Sequence, residues 1–344
     1  MTAPAGRSAP VRDDRQREDG EPRRRRWRPS QLEIVGIVAV VLIVGRSWVQ
    51  EQVAYPAVEA GATVFVAIVT QATPFLVLGV LLSAAITAFV PPGFWIRALP
   101  SRPALAVPVA GAAGCVLPGC ECASVPVAGS LMSRGVAPAA ALAFLLSAPA
   151  INPIVVISTV VAFPGQPQMA LARFVASLAT AVAMGWLWLR LGRGEWLRIP
   201  DRSHLHGATP WHTFRLTAAH DFLHAGGFLV IGALAAAVMN VAMPTSWMQA
   251  LADHPALSVL GLALLAVVLS ICSEADAFVA ASLTMVPLVP RLVFLVVGPA
   301  VDVKLFAMQA GMFGRAFAMR FAPMTFLVAT LVATGVGLLL VGSQ

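Results

Sequence analysis

Residues 33–49, 62–90, 103–131, 137–163, 168–190, 219–243, 256–284, 287–308 and 321–342 are almost entirely apolar, and each stretch is 17–29 residues long. A transmembrane helix needs about 20 such residues. Lipid offers no partner to a backbone N–H or C=O, so only helices and closed barrels cross it. The alternation of a barrel strand is absent, which leaves helices. The composition agrees: 58% of residues are hydrophobic and 11% charged, against about 45–50% and about 25% in a soluble domain. A water-soluble enzyme, a disordered chain and a nucleic-acid-binding domain are excluded as the main reading. The chain is an all-α polytopic membrane protein whose first partner is the lipid bilayer.

The net charge of +7 does not point to nucleic acid, because of where the charge lies. Nine of the 23 basic residues are arginines in the first 30 positions, and Arg23–Arg26 with Arg28 abut the first apolar stretch. Under the positive-inside rule this is a cytoplasmic anchor. Residues 1–30 read as a disordered cytoplasmic tail with no cleavable signal peptide. The expected localisation is the bacterial plasma membrane, multi-pass, with the N-terminus cytoplasmic. Residues 31–61 read as an extra N-terminal transmembrane helix and loop.

The remainder contains an internal repeat. FLVLGVLLSAA from Phe75 is answered by FLVIGALAAAV from Phe228, and PALAV from Pro103 by PALSV from Pro255. CECASVPVAGSL from Cys120 is answered by CSEADAFVAASL from Cys272, and APAINP from Ala148 by GPAVDV from Gly298. Order is kept and the offset stays at 150–153 residues, which chance similarity of apolar sequence does not produce. Residues 62–192 and 219–344 are the two membrane repeats, joined by a His/Arg-rich cytoplasmic linker at 193–218.

Charge also sets the expected topology. If every stretch crosses fully, giving nine spans, the arginine-rich 190–217 loop falls outside. If 103–131 and 256–284 instead enter and leave on one face, nearly all arginine-bearing loops fall inside, with Arg291 the exception. The repeats are then inverted, each with three spans plus a broken or re-entrant segment, an arrangement found in secondary transporters.

Ionisable residues at bilayer depth are costly and mark function. The apolar stretches hold Glu121, Glu274, Asp276 and Asp302, joined by Lys304, the only lysine. The plainer alternative is a buried structural ion pair of Lys304 with Asp302 or Glu274. Repeat alignment sets Cys120 against Cys272, Cys122 against Glu274, Ser124 against Asp276, and Asn152 against Asp302. Inverted repeats bring these sets together near mid-membrane, so one central site is expected.

In LPGCECASVP, Pro118 and Gly119 break the helix. Cys120, Glu121 and Cys122 then fall at the break or in the first turn of a new half-helix, where the helix dipole favours negative charge. Two thiols beside a carboxylate suit a soft metal or metalloid. Residues two apart on a regular helix face apart, and the break is what lets both sulfurs turn to one ligand. The plainer alternative is cysteines used as small packing residues, which is how Cys115 reads. Pro149, Pro153 and Pro299 flank Asn152 and Asp302, and such breaks free carbonyls to line a cavity. Substrate contacts are thus expected from Cys120, Cys122, Cys272, Glu121, Ser124 and Asn152, and proton coupling from Glu274, Asp276, Asp302 and Lys304.

Five of the six histidines lie between His204 and His224. His220 and His224 share a helix face with Asp221 adjacent. With His204 and His206 they are candidate metal ligands at the cytoplasmic entrance, against the plainer reading of a polar interfacial loop. No Walker A loop, catalytic triad order or dinucleotide fingerprint appears. No enzymatic activity and no cofactor is expected.

PGCECASVPVAGSL, LLSAPAINPIVV, CSEADAFVAASL and GPAVDVKL together resemble the ArsP/YraQ family of predicted bacterial permeases, over roughly residues 62–342. The resemblance implies a plasma-membrane permease. Characterised members export trivalent organoarsenicals with paired cysteines implicated in binding, and that role would fall on Cys120 and Cys122, with Cys272 beside them. Some relatives are associated with metal homeostasis. The leading expectation is a secondary transporter exporting a small thiophilic solute. A divalent metal (zinc) permease and a membrane thiol oxidoreductase are the alternatives. A homo-oligomer or a partner membrane subunit is compatible with either transporter.

Overall fold

The computed structural model describes residues 56–91, 94, 99–116, 120–199, 209–242 and 255–342. The arginine-rich tail, the expected extra N-terminal span up to residue 55, the expected break at Pro118 and Gly119, His204 and His206 lie outside the described residues. Every regular element among those described is helical. The first half runs α1 (Pro56–Phe89), α2 (Pro103–Ala113), α3 (Glu121–Ser133), α4 (Pro138–Ile151), α5 (Pro153–Ala162) and α6 (Pro167–Leu191). The second runs α7 (Pro210–Ala242), α8 (Pro255–Leu269), α9 (Asp276–Ser282), α10 (Leu288–Ala300), α11 (Val303–Phe313) and α12 (Arg315–Leu340). Seven helices begin on proline, whose missing N–H costs nothing in a first turn and whose fixed φ suits one. The bounds differ from expectation at two places. Residues 56–61 belong to α1, and 210–218 of the expected linker already form the first turns of α7.

Among the described residues, six segments are long and apolar enough to cross a membrane: Val58–Phe89, Pro138–Ala162, Pro167–Leu191, Pro210–Ala242, Leu288–Phe313 and Arg315–Leu340. Two are not single helices. Pro138–Ala162 is α4 and α5 broken at Asn152, and Leu288–Phe313 is α10 and α11 broken at Val301–Asp302. These two broken spans are also the central ones, 78% buried against 22–33% for α1, α7 and α12. On α12 the leucines Leu327, Leu331 and Leu338 are all exposed, one face apart by helical spacing, as a lipid-facing stripe requires.

The two shorter apolar segments do not cross. Trp186 near the end of α6 donates its indole N–H to the carbonyl of Ala104 at 2.9 Å. A Cβ on Gly185 would lie 2.5 Å from Val107 and 3.1 Å from the carbonyl of Ala139. The start of α2 and the start of α4 therefore lie beside the same turn of α6. The intervening α2–α3 segment returns to the face it entered. In the second half, Val259 of α8 and Val289 of α10 wall one cavity of about 900 Å³ with Leu338 of α12 and Gln166 before α6. The α8–α9 segment thus also returns to its own face. Trp188 of α6 packs on Phe317 and Phe321 of α12, so these helices run antiparallel and the two hairpins enter from opposite ends.

The direction of α7 gives the same answer independently. Gly61 lies against Val241, Ser83 bonds Asp221, and the Phe89 ring meets Phe214 at 5.9 Å. α1 and α7 are antiparallel. Three crossings after α1 (α4–α5, α6 and α7) reverse direction, whereas a fourth by α2–α3 would restore it. Six crossings and two re-entrant hairpins fit these contacts, and a full crossing at 103–131 does not.

Single cysteines placed at Arg102 and Arg134 are expected to react with a membrane-impermeant maleimide from one face of sealed vesicles, and a cysteine at Met285 from the other. Labelling of positions 102 and 134 from opposite faces would restore a full crossing.

Candidate functional site

The tips of the two hairpins meet at the centre. Cys120 is the N-cap of α3, in extended backbone, and its carbonyl accepts from the N–H groups of Ala123 and Ser124. Glu121 is the first residue of the half-helix. From the other hairpin, α8 ends at Leu269 and the chain turns through Ser270, the one non-glycine among the described residues with positive φ (+50°). Cys272 follows that turn. The sulfurs of Cys120 and Cys272 and a carboxylate oxygen of Glu121 all lie within 4.8 Å of one another. Two thiols and a carboxylate gathered this closely are a donor set that suits a soft metal or metalloid. All three residues are buried.

Lys304 completes the centre from α11. Its ammonium pairs with Glu121, lies 3.8 Å from Asp302, and donates to the Ser270 carbonyl at 3.4 Å and to the Cys272 sulfur at 3.9 Å. Ser273 donates to the second oxygen of Glu121 at 3.3 Å. Asp302 is the N-cap of α11 and accepts from the Leu305 N–H, while its other oxygen has no hydrogen-bond partner. Asn152 does the same work for α5, accepting from the Val155 N–H at 3.0 Å and donating to Ala148. The two matched breaks are therefore both capped by their own side chains, which satisfies N–H groups a broken span would otherwise leave bare.

Not every expected residue joins. Cys122 is buried and neighbours Cys120, but its sulfur is outside the three-ligand group. The thiol pair that closes on one point is Cys120 with Cys272, one from each hairpin. Ser124 donates to the carbonyl of Glu121 at 3.0 Å. The carboxylate oxygens of Glu274 are buried with no hydrogen-bond partner. Cys115 lies apart, in a 3-10 turn after α2, half-buried. On α7 the His220 and His224 rings stack at 5.9 Å, and His220 approaches Asp221 at 3.4 Å while Ser83 donates to Asp221 at 2.8 Å. These groups form no three-ligand cluster among the described residues.

Asp276 is held elsewhere, by a second base that the sequence reading overlooked. Arg173 of α6 is 1% exposed. Its Nη2 donates to both Asp276 oxygens at 2.9 Å and to the Ser273 carbonyl at 3.0 Å, and its Nη1 to Thr159 at 2.8 Å. The signal was present: an arginine near the start of the 168–190 stretch. It has no counterpart in the repeat, and a search for matched polar pairs passes over it. Each hairpin tip is thus tied to the opposite half through the first acidic residue of its half-helix, Glu121 by Lys304 and Asp276 by Arg173.

Two glycines at the same repeat position set the close approach. A Cβ on Gly79 would meet the backbone of Ala123 at 2.3 Å, and one on Gly232 the backbone of Lys304 at 2.8 Å. Only glycine lets α1 and α7 press this closely on the segments that carry the site.

The chain belongs to the family described as a predicted permease (ArsP_1), which it matches over residues 59–337. It is similar to the UPF0718 protein YcgR of Bacillus subtilis (strain 168), 35% identical over 79% of this chain and 94% of the relative. It is also similar to a protein of Streptococcus mutans serotype c described as a candidate subunit of a two-component membrane permease complex, 29% identical over 80% of this chain and 94% of that one. No solved structure matches the chain. The protein is a multi-pass membrane permease.

Removing one partner of a buried ion pair costs about 3–5 kcal/mol. Arg173→Met is expected to destabilise the detergent-solubilised protein by about that amount, and Arg173→Met with Asp276→Leu to recover most of it, read from thermal unfolding. Equal loss in the single and double variants would show that the pair does not hold the tip.

Proposed function

We propose that this permease is a secondary transporter that exports a small thiophilic solute, a trivalent organoarsenical being the leading candidate, across the plasma membrane from a cytoplasmic side marked by the N-terminus. The observation that carries the reading is the convergence of Cys120, Glu121 and Cys272 from two hairpins of opposite orientation. A soft centre bound by one thiol from each hairpin is held by both halves at once. Rocking of the halves then exposes it to one face and to the other, as expected of inverted repeats.

Lys304 pairs with Glu121 and approaches Cys272, so the carboxylate of the site is neutralised from within. Glu274, with no hydrogen-bond partner, is the acid best placed to travel with a proton, and Asp302 the acceptor to which Lys304 can shift when cargo engages Glu121. Asp276, bound to Arg173, serves the structure of the hairpin. Two sulfurs and a carboxylate also suit zinc, which is the second reading. The description of the streptococcal relative makes a second membrane subunit part of either reading.

Uptake into everted vesicles tests this with methylarsenite, arsenite and zinc offered separately, with and without a proton gradient. Gradient-dependent methylarsenite uptake is expected, lost by at least tenfold in Cys120→Ser and in Cys272→Ser and less affected in Cys122→Ser. Zinc uptake alone would move the cargo to a metal ion. No uptake of any would overturn the transport reading in favour of thiol redox chemistry between Cys120 and Cys272.

Asp302→Asn is expected to flatten the pH dependence of uptake before it weakens binding, because the residue still caps α11. An unchanged pH profile in that variant would remove Asp302 from proton coupling.

A further inference from the structure

A cavity of about 210 Å³ lies between α1, α7 and the tip of the second hairpin, with Cys272 in its wall. Val64, Ile68 and Gln71 of α1 line it along one helix face, opposite Asn240 of α7 and the Ser270–Cys272 turn. We propose that this cavity, on the half of the membrane away from Arg102 and Arg134, is the vestibule through which solute leaves the thiol site, and that it passes neutral molecules and rejects ions. The proposal rests on the thiol-carrier reading above and adds the route and the charge class of the cargo.

Four observations carry it. First, Gln71 is exposed near the middle of a 34-residue apolar helix. A primary amide at that depth is unfavourable against lipid and favourable against a polar guest or water. Second, the lining contains amide, hydroxyl and thiol groups and no charged side chain. An ion entering such a space loses its hydration with nothing to replace it, whereas a neutral polar solute exchanges one set of hydrogen bonds for another. Third, the wall is braced. Asn240 donates to the carbonyls of Val268 at 3.1 Å and Ala236 at 2.9 Å, which fixes the end of α8 against α7. Fourth, the positive φ of Ser270 is a conformation that persists only where the surroundings impose it. That turn places Cys272 at the cavity while its own carbonyl is taken by Lys304. Lys304 and its partners Glu121 and Asp302 are not part of the cavity lining. At ~30 Å³ each, roughly seven waters would fill the space, so it suits a solute of a few heavy atoms.

The test reads the reactivity of Cys272 in the full-length protein in proteoliposomes, with peptide mass spectrometry distinguishing it from the other three cysteines. The probes are methyl methanethiosulfonate, which is neutral, and its trimethylammonium-ethyl and sulfonato-ethyl analogues, which are charged. In each case the thiol displaces methanesulfinate and becomes a mixed disulfide. Cys272 is expected to react at least tenfold faster with the neutral reagent. Ile68→Trp and Gln71→Trp, each checked for an unchanged gel-filtration profile, should slow that reaction at least tenfold. Equal rates with charged and neutral reagents would overturn the charge selectivity. Normal reactivity in both folded tryptophan variants would overturn the route. Reactivity as expected combined with normal transport by Cys272→Ser would overturn the thiol-carrier reading and leave the neutral vestibule standing.

Discussion

A polypeptide that stops halfway through a membrane must hide the backbone it leaves unpaired, and this constraint organises the whole molecule. The chain stops in this way at the two hairpin tips, and it breaks two further spans at Asn152 and Asp302. Cys120 and Cys272 beside the tips are buried, as are Asn152 and Asp302 at the breaks, and the broken spans α4–α5 and α10–α11 are the most enclosed of the six. The long continuous helices α1, α7 and α12 form the periphery. The most irregular backbone is therefore central, and the polar groups that could do chemistry are central with it.

The two bases that enter this centre differ in kind. Arg173 presents a planar fork and spends it on Asp276, the Ser273 carbonyl and Thr159, a fixed set of acceptors spread over three elements. Such a group holds one geometry. Lys304 carries a point charge on a flexible stem and has Glu121, Asp302, Ser270 and Cys272 about it at once. Such a group can redistribute among partners with small movements. The halves are thus joined by one rigid tie and one adjustable tie, and the adjustable tie is the one beside the thiols.

Much of this was legible in the sequence because lipid removes alternatives. Apolar length gave the spans, and the bias of arginine across loops gave the hairpins at 103–131 and 256–284. The repeat gave the meeting of Cys120 with Cys272. What remained hidden depended on distance rather than pattern. The spacing of Cys120 and Cys122 suggests a local pair, yet the thiol that joins Cys120 and Glu121 in one three-ligand group belongs to the other hairpin, 152 positions away. Arg173 escaped because it has no repeat partner, and Asp276 was therefore expected to couple to protons and not to be held by an arginine. Gly79 and Gly232 stood in the repeat in plain view, but their purpose appears only when α1 is seen against Ala123 and α7 against Lys304.

The charge at the centre constrains what can move. Four acids, Glu121, Glu274, Asp276 and Asp302, face two bases, Arg173 and Lys304, so with all groups ionised the balance is 2 − 4 = −2. A membrane interior does not carry two uncompensated charges without large cost. A divalent cation would offset them directly, whereas a neutral thiophile would leave the balance to protons. In the proposed carrier the solute would supply the affinity for sulfur and the proton the charge.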